Sequence, residues 1–358
     1  MKKVLILAPT PPPAGGIAGW AERMKNVSLK DNWCVEIVDE KQLGDRKLFS
    51  SNIIKRNIIS EFKRCIRIWG DLRRKLVDKN DEDIIVVHSC IPSTTFAMLR
   101  EYVCAYISHK HNTKFIVHFR CTVPNTTKGK IGTFILKKLC DYSDYIIVLN
   151  KQSKDFIDRI TKKPNSIIPN FIVFSEVSCQ FCVREKIKKV IYVGGVIETK
   201  GAIEAFELAK RFLDIEFEFV GEIPIENRLI AETIPNITLT GALSHENVKQ
   251  HLMNADVFLF PTHFYGEGFS NALCEAMGVG LPCLVTNWAA NSDMIDNSKG
   301  GFVVPIHDVD QLENALNNMK DRIIREKMSA HNRMKASQLY SQNVVVDKYV
   351  DVYESIVG

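Results

Sequence analysis

Apolar positions along the chain fall into two kinds of run that alternate from end to end. Short continuous runs of β-branched and other apolar residues occupy residues 3–8, 33–38, 83–88, 114–119 and 145–149. They lack the polar alternation of a half-exposed strand, so each predicts a parallel strand buried on both faces. Longer stretches with helical spacing separate them. The pattern restarts at residues 189–193 and continues through 216–220, 237–240, 256–260, 282–286 and 301–304. Beyond residue 308 the spacing is helical to the end. Strand–helix alternation of this kind predicts an α/β fold of doubly wound parallel sheets. The restart, and a length of 358 residues, call for two Rossmann-like domains instead of one enlarged core. Residues around 169–186 match neither period. The expected division is an N-terminal domain at 1–170, a linker at 171–187, a C-terminal domain at 188–335 and a closing helical segment at 336–358.

Composition narrows this picture without redirecting it. With 46% hydrophobic and 25% charged residues, disorder, collagen-like repeats and a small disulfide scaffold are excluded. No apolar run approaches the roughly 18–20 residues needed to span a bilayer. The opening apolar stretch, residues 4–8, is too short for a secretory h-region and runs into Pro9-Thr10-Pro11-Pro12-Pro13, so it reads as a first buried strand. Ten cysteines are present, and Cys34, Cys90, Cys104, Cys274 and Cys283 sit in apolar runs where free thiols pack as small hydrophobes. Reduced thiols in the cytoplasm are expected. Cys179 and Cys182 form a C-x-x-C, but no second pair follows to complete a zinc site.

Ligands of doubly wound sheets bind at the carboxyl ends of the strands, and the informative residues lie there. The first strand opens into a loop containing Gly15, Gly16 and Gly19 ahead of a helix. Adjacent glycines let a backbone approach a ligand, and a helix N-terminus offers N–H groups to an anion. A Gly-rich turn without a ligand is the plainer alternative. The run after residue 193 repeats the design with Gly194, Gly195, Lys200 and Gly201, a combination suited to a pyrophosphate. The richest segment follows residue 260: Pro261-Thr262-His263, then Gly266-Glu267-Gly268-Phe269-Ser270-Asn271, then Glu275-Ala-Met-Gly278-Val-Gly280-Leu-Pro282. Glu267 falls at a loop tip and Glu275 inside the next helix. The N–H groups of Gly268, Phe269 and Ser270 are expected free at the helix start. Two carboxylates so spaced can hold two hydroxyl-bearing parts of one ligand.

This segment resembles the signature of retaining glycosyltransferases of family 4, which have a GT-B fold: Glu267-x7-Glu275, the Pro-Thr before it and the Glu-Ala-Met-Gly-x-Gly-x-Pro after it. The Gly15-Gly16 loop, Val117-His118, Ile168-Pro169-Asn170, Val193-Gly194 with Lys200-Gly201, and the stretch from Tyr340 to Tyr353 agree in order. The resemblance implies two domains facing a groove, the first for the acceptor, the second for a nucleotide-sugar, with the last helix crossing back to the first. It implies that Glu267 holds donor-sugar hydroxyls and that Glu275 holds the ribose. Lys200 would neutralise the diphosphate, His118 would meet the donor sugar, and Gly16 would let its loop close. Catalysis then falls to Glu267, His118 and Lys200, and donor binding to Gly16, Gly194, Gly195, Gly268, Phe269, Ser270 and Glu275. Gly15, His88 and Arg120 are candidates for the acceptor side. No cofactor and no metal are expected, since Lys200 and helix N-termini supply positive potential. Gly195 stands where many members of the family carry arginine, and Arg120 is a candidate substitute. A nucleotide-sugar epimerase and a non-catalytic nucleotide-sugar-binding protein are the alternatives.

The formal charge of +5 is unevenly spread. Residues 46–79 hold eleven Lys or Arg against three acids, +8 in all, which leaves the rest of the chain slightly acidic. Ile54, Ile58, Phe62, Cys65, Ile66, Trp69, Leu72 and Leu76 predict an apolar helical stripe, with Lys63, Arg64, Arg67, Arg73 and Arg74 between. Such a helix can pack on the sheet, lie on anionic lipid, or do both. The expectation is a cytoplasmic enzyme, peripheral on the inner face of the membrane, with a lipid-linked or soluble saccharide acceptor. Nucleic acid is not expected, and a monomer or weak dimer is.

Overall fold

The computed structural model describes residues 2–11, 15–30, 32–41, 58–78, 83–173 and 182–358. Six parallel strands form a first sheet: β1 (Lys2–Ala8), β2 (Trp33–Asp39), β3 (Ile84–Ile91), β4 (Lys114–Phe119), β5 (Tyr145–Val148) and β6 (Asn165–Ile167), in the order β2-β1-β3-β4-β5-β6. A second comprises β7 (Lys189–Val193), β8 (Glu216–Val220), β9 (Ile237–Gly241), β10 (Val257–Phe260), β11 (Cys283–Thr286) and β12 (Gly301–Val304), in the order β12-β11-β10-β7-β8-β9. All eleven strands read from apolar runs are present. β6 went unread, because Asn-Ser-Ile is a three-residue edge strand with no apolar run. The chain groups into two units, Met1–Pro169 with Val346–Gly358, and Asn170–Val345. Residues 336–345 therefore group with the second unit.

Each sheet reverses its direction of winding once, between β1 and β3 in the first and between β7 and β10 in the second. Such a reversal sends the flanking loops to opposite faces and opens a crevice at the strands' carboxyl ends. In the first unit Leu5, Val87, Val117 and Ile146 pack under helices at Ile58–Val77, Thr95–Lys110 and Gly129–Tyr142. The final helix, Gln342–Val357, buries Tyr349 and Tyr353, and its Glu354 accepts from Lys2 and from the Trp33 indole, both at 2.5 Å.

The helix Ile58–Val77 corrects part of the charge reading. Its inward line is Cys65, Ile68, Leu72 and Leu76, whereas Phe62 and Ile66 are exposed. At about 100° per residue, Phe62 and Ile66 stand one face away from that line. Arg64 and Arg67 also turn inward, donating to the carbonyls of Glu40 at 2.7 Å and Lys41 at 2.6 Å. They are therefore not surface cations, while Lys63, Arg73 and Arg74 are exposed. Ile54 lies outside the described residues, as does Cys179 of the C-x-x-C. Cys34 is exposed, not buried, because β2 presents it outward. No helix among the described residues is long and apolar enough to cross a membrane.

Candidate functional site

In the second unit, β7 and β10 deliver their loops to one place. Gly194 leaves β7 with φ +150°, and a single 3-10 turn, Glu198–Lys200, precedes the helix Ala202–Arg211. The Tyr192 hydroxyl donates to the carbonyls of Gly195 at 2.8 Å and Lys200 at 3.1 Å, which pins the loop. Gly201 caps the helix at φ +79°, and a Cβ there would lie 2.2 Å from the Pro261 carbonyl oxygen. Only glycine fits that left-handed, crowded position. His263 N–H donates to the Thr199 carbonyl at 2.9 Å, joining the two loops again.

Lys200 and Glu267 meet across this junction. The Lys200 ammonium lies 3.2 Å from Glu267 Oε2 and near the Phe260 and Phe264 rings, at 5.8 and 5.4 Å from their centroids. Ser270 is the N-cap of the helix Asn271–Val279, its hydroxyl accepting from Leu273 N–H at 3.2 Å. Phe269 is buried against Tyr340. Glu275, one turn into that helix, lies 3.2 Å from Nε2 of His245.

Two further groups contribute whose roles the sequence does not assign. Asn170 Nδ2 donates to the Phe269 carbonyl at 3.1 Å and to Asn271 Oδ1 at 2.7 Å, holding the loop that carries Glu267. The Pro169-Asn170 pair, where the second unit begins, was the available signal. Glu204, His263 and His307 also converge: Glu204 Oε1 is 2.6 Å from His307 Nδ1 and 3.9 Å from His263 Nδ1. Burial, and then the neighbouring His307, lower the His263 pKa. These three, and His88 with Cys90 and His118, have ligand types and spacings that a metal ion would accept.

In the first unit, His88, His118 and Arg120 form one buried chain whose proton positions follow from its end. Arg120 Nη1 lies 3.1 Å from His118 Nε2. A guanidinium only donates, so that nitrogen is the bare one. Burial, with Arg120 next, holds His118 neutral and far below its usual pKa. Its proton therefore sits on Nδ1, 3.1 Å from His88 Nε2. His88, pushed down to about 3 by burial and Arg120, is neutral too. Its Nδ1–H donates to the Tyr353 hydroxyl at 2.8 Å. Trp20, on the helix Gly16–Lys25, packs on both imidazoles with centroids 5.5 and 5.6 Å away, and Arg120 stacks over its ring at 4.6 Å.

His118 is thus wholly buried, with both ring nitrogens engaged inside the unit. Arg120, read as a strand-end residue, is buried as well. Gly15 and Gly16 are exposed, and a Cβ at either would touch nothing within 4 Å. The protein's own packing does not require glycine there. The structure therefore brings together Lys200 with Glu267, and His88 with His118 and Arg120.

Two switch-point crevices on tandem Rossmann-like units define the fold as GT-B, a two-domain α/β architecture. Residues 187–321, which contain Gly194, Gly195, Lys200, Glu267 and Glu275, match the family model described as "Glycosyl transferases group 1". The chain is 27% identical over 194 residues to a 2-deoxystreptamine N-acetyl-D-glucosaminyltransferase of Niallia circulans, a match covering 50% of this chain and 49% of that one. It is 29% identical over 148 residues to the UDP-Gal:alpha-D-GlcNAc-diphosphoundecaprenol alpha-1,3-galactosyltransferase of Escherichia coli, covering 40% and 34%. The matches thus span half or less of these relatives. Among solved structures, the sucrose-phosphate synthase of Thermosynechococcus elongatus shares the fold over 99% of both chains, with a TM-score of 0.80 and 15% identity.

Proposed function

We propose that the chain is a retaining glycosyltransferase of family 4 that moves a sugar from a UDP- or GDP-sugar to a glycan acceptor in bacterial surface polysaccharide synthesis. The observation that carries this reading is the Lys200–Glu267 pair, 3.2 Å apart at the β7–β10 switch point and inside the stretch similar to group 1 glycosyl transferases. The Escherichia coli relative's UDP-sugar donor and diphosphate-lipid acceptor favour a nucleotide-sugar and a lipid-linked acceptor here.

The pair gives the chemistry its order. Without donor, the Lys200 charge is answered by Glu267. A diphosphate arriving at Gly194, Gly195 and the helix beyond Gly201 competes for the ammonium. Glu267 is thereby released to accept hydrogen bonds from donor-sugar hydroxyls. As the sugar–oxygen bond breaks, negative charge grows on the diphosphate, and a fixed ammonium at that point stabilises the transition state more than the ground state. A departing phosphate oxygen takes the acceptor proton, so retention needs no separate base. Glu275 and the loop of Gly268, Phe269 and Ser270 bind the nucleoside part. On the acceptor side we assign Gly15, His88 and Arg120; Gly16 lets its loop close over the diphosphate, and His118, both of whose ring nitrogens are engaged, acts through Trp20 to seat the helix that opens at Gly16.

Acceptor-dependent release of free nucleotide tests the reading. Glu267→Gln should lower turnover about 100-fold, the scale of one transition-state contact, while nucleotide affinity stays within a few-fold. Equal loss of both would contradict the assignment.

A further inference from the structure

Glu204, His263 and His307 come from three stretches of the second unit and meet at one point. Glu204 stands in the first turn of the helix Ala202–Arg211, His263 in the loop that leaves β10, and His307 between β12 and the helix Val309–Asn318. Arg211 clamps the two helices together, its Nη1 donating to Asp310 and to Glu313, both at 2.6 Å. The backbone of His263 is held by its bond to the Thr199 carbonyl. Elements that packing has already placed therefore present the three side chains, the condition for a preorganised site.

An ordinary ion pair does not account for the cluster. Glu204 Oε1 accepts from His307 Nδ1 at 2.6 Å, which leaves one carboxylate oxygen and one imidazole over. Glu204 is only 8% exposed, and its Oε2 has no hydrogen-bond partner among the described residues. Nor has the buried Nδ1 of His263, which lies 3.9 Å from Glu204 Oε1, too far for a hydrogen bond. Buried polar atoms are rarely left so. The three donor atoms lie within 4.8 Å of one another. Zinc–ligand bonds of about 2.0–2.1 Å, set tetrahedrally, place neighbouring donor atoms about 3.4 Å apart. The 2.6 Å separation then lengthens and the 3.9 Å one shortens, each by less than about 1 Å. Two imidazoles and a carboxylate suit zinc and its late first-row neighbours, whereas magnesium and calcium take oxygen ligands. The cluster of His88, Cys90 and His118 differs, because both rings there already engage their nitrogens with Arg120, each other and Tyr353.

We propose that Glu204, His263 and His307 bind one zinc-type divalent ion, which rivets the β7 loop to the β10 loop. The Glu204 carboxylate and Nδ1 of each histidine are the protein ligands, and water completes the set on the side where His307 is exposed. The ion takes no part in sugar transfer. Its effect is mechanical: Glu204 follows Lys200 by four residues, and His263 precedes Glu267 by four. A bond from each to one ion therefore fixes the separation of the loops that carry Lys200 and Glu267. Metal binding does not depend on the transferase reading; only the use of holding that pair does.

Chelator-stripped full-length protein, titrated with zinc, cobalt or magnesium, tests the site. The wild type should take up one zinc ion that His263→Gln and His307→Asn each bind at least about 100-fold more weakly. Asparagine tolerates the left-handed backbone that His307 adopts at φ +60°, so that variant keeps the fold. His251→Gln alters a comparable pair, 3.1 Å from Glu218, that no third ligand joins among the described residues, and should match the wild type. Cobalt should give the wild type the visible absorption of a four-coordinate ion, lost in His307→Asn. Zinc should slow amide exchange over residues 262–267 about tenfold or more in the wild type and in neither ligand variant. Equal zinc uptake by the wild type and both ligand variants would overturn the site, as would magnesium bound as tightly as zinc. Zinc bound with that exchange unchanged would overturn the rivet. Thermal shift of the metal-free protein by a nucleotide-sugar reports on the transferase reading separately, so the two can fail independently.

Discussion

Acidification should loosen the first unit through its buried histidines, and the size of the effect follows from their burial. The perturbation is a fall from pH 7 to pH 5, applied to the wild type and to His88→Gln. An unfolded His88 takes up its proton near 6.5, whereas in the folded chain it does so only at about 3. Between those values the unfolded state binds more protons, so stability is complete above 6.5 and declines as pH falls. The slope is about 1.4 kcal/mol per pH unit, or about 2 kcal/mol by pH 5, a large part of the usual 5–15 kcal/mol. His118 is shifted in the same direction and adds to the loss. Glu40, raised by its burial, titrates in the opposite sense, so the informative quantity is the difference between the two proteins. Urea unfolding followed by tryptophan emission reads mainly the first unit, which holds Trp20, Trp33 and Trp69, with only Trp288 in the second. The wild type should lose about 2 kcal/mol more than His88→Gln between pH 7 and pH 5. Parallel profiles would mean that folded His88 takes up its proton as readily as the unfolded chain does, and the proton assignments along the Arg120–His118–His88–Tyr353 chain would fall with it.

Three further outcomes are expected. Gly201→Ala places a Cβ 2.2 Å from the Pro261 oxygen at φ +79°, and should cost about 2 kcal/mol or more of second-unit stability, read from Trp288 emission; a change below 0.5 kcal/mol would show that the two loops yield. Asn170→Ala removes two hydrogen bonds from the loop bearing Glu267, so amide exchange over residues 266–271 should quicken at least tenfold, consistent with about 1–3 kcal/mol for buried partners left unmade. Arg120→Ala should lower turnover at least tenfold, and unchanged turnover removes Arg120 from the catalytic machinery.

Much of the architecture was legible because buried parallel strands are written as continuous apolar runs, as in Val190 to Tyr192 or Val257 to Phe260. β6 was not, since an edge strand of three residues needs no such run. The loops carrying Lys200 and Glu267 were legible because glycine at a strand end has few other uses. Their mutual contact was not, because it joins residues 67 apart in sequence. The helix at Ile58–Val77 misled in phase: it is apolar on two faces, and composition does not say which one the sheet takes. Arg64 and Arg67 looked like surface cations for the same reason. The histidine chain was hidden altogether, as its partners come from β3, β4 and the last helix.

That last helix has a consequence for biosynthesis. Tyr353, the acceptor for His88, lies 265 positions further along the chain. While the ribosome is producing the second unit, the first has all its strands but neither Tyr349, which packs on Trp20, His88 and His118, nor Tyr353, which ends its buried polar chain. The unit made first is therefore the one finished last. Nascent chains stalled before residue 346 should present it as an incomplete, protease-sensitive body, and it acquires its final packing only once the terminal helix has left the exit tunnel.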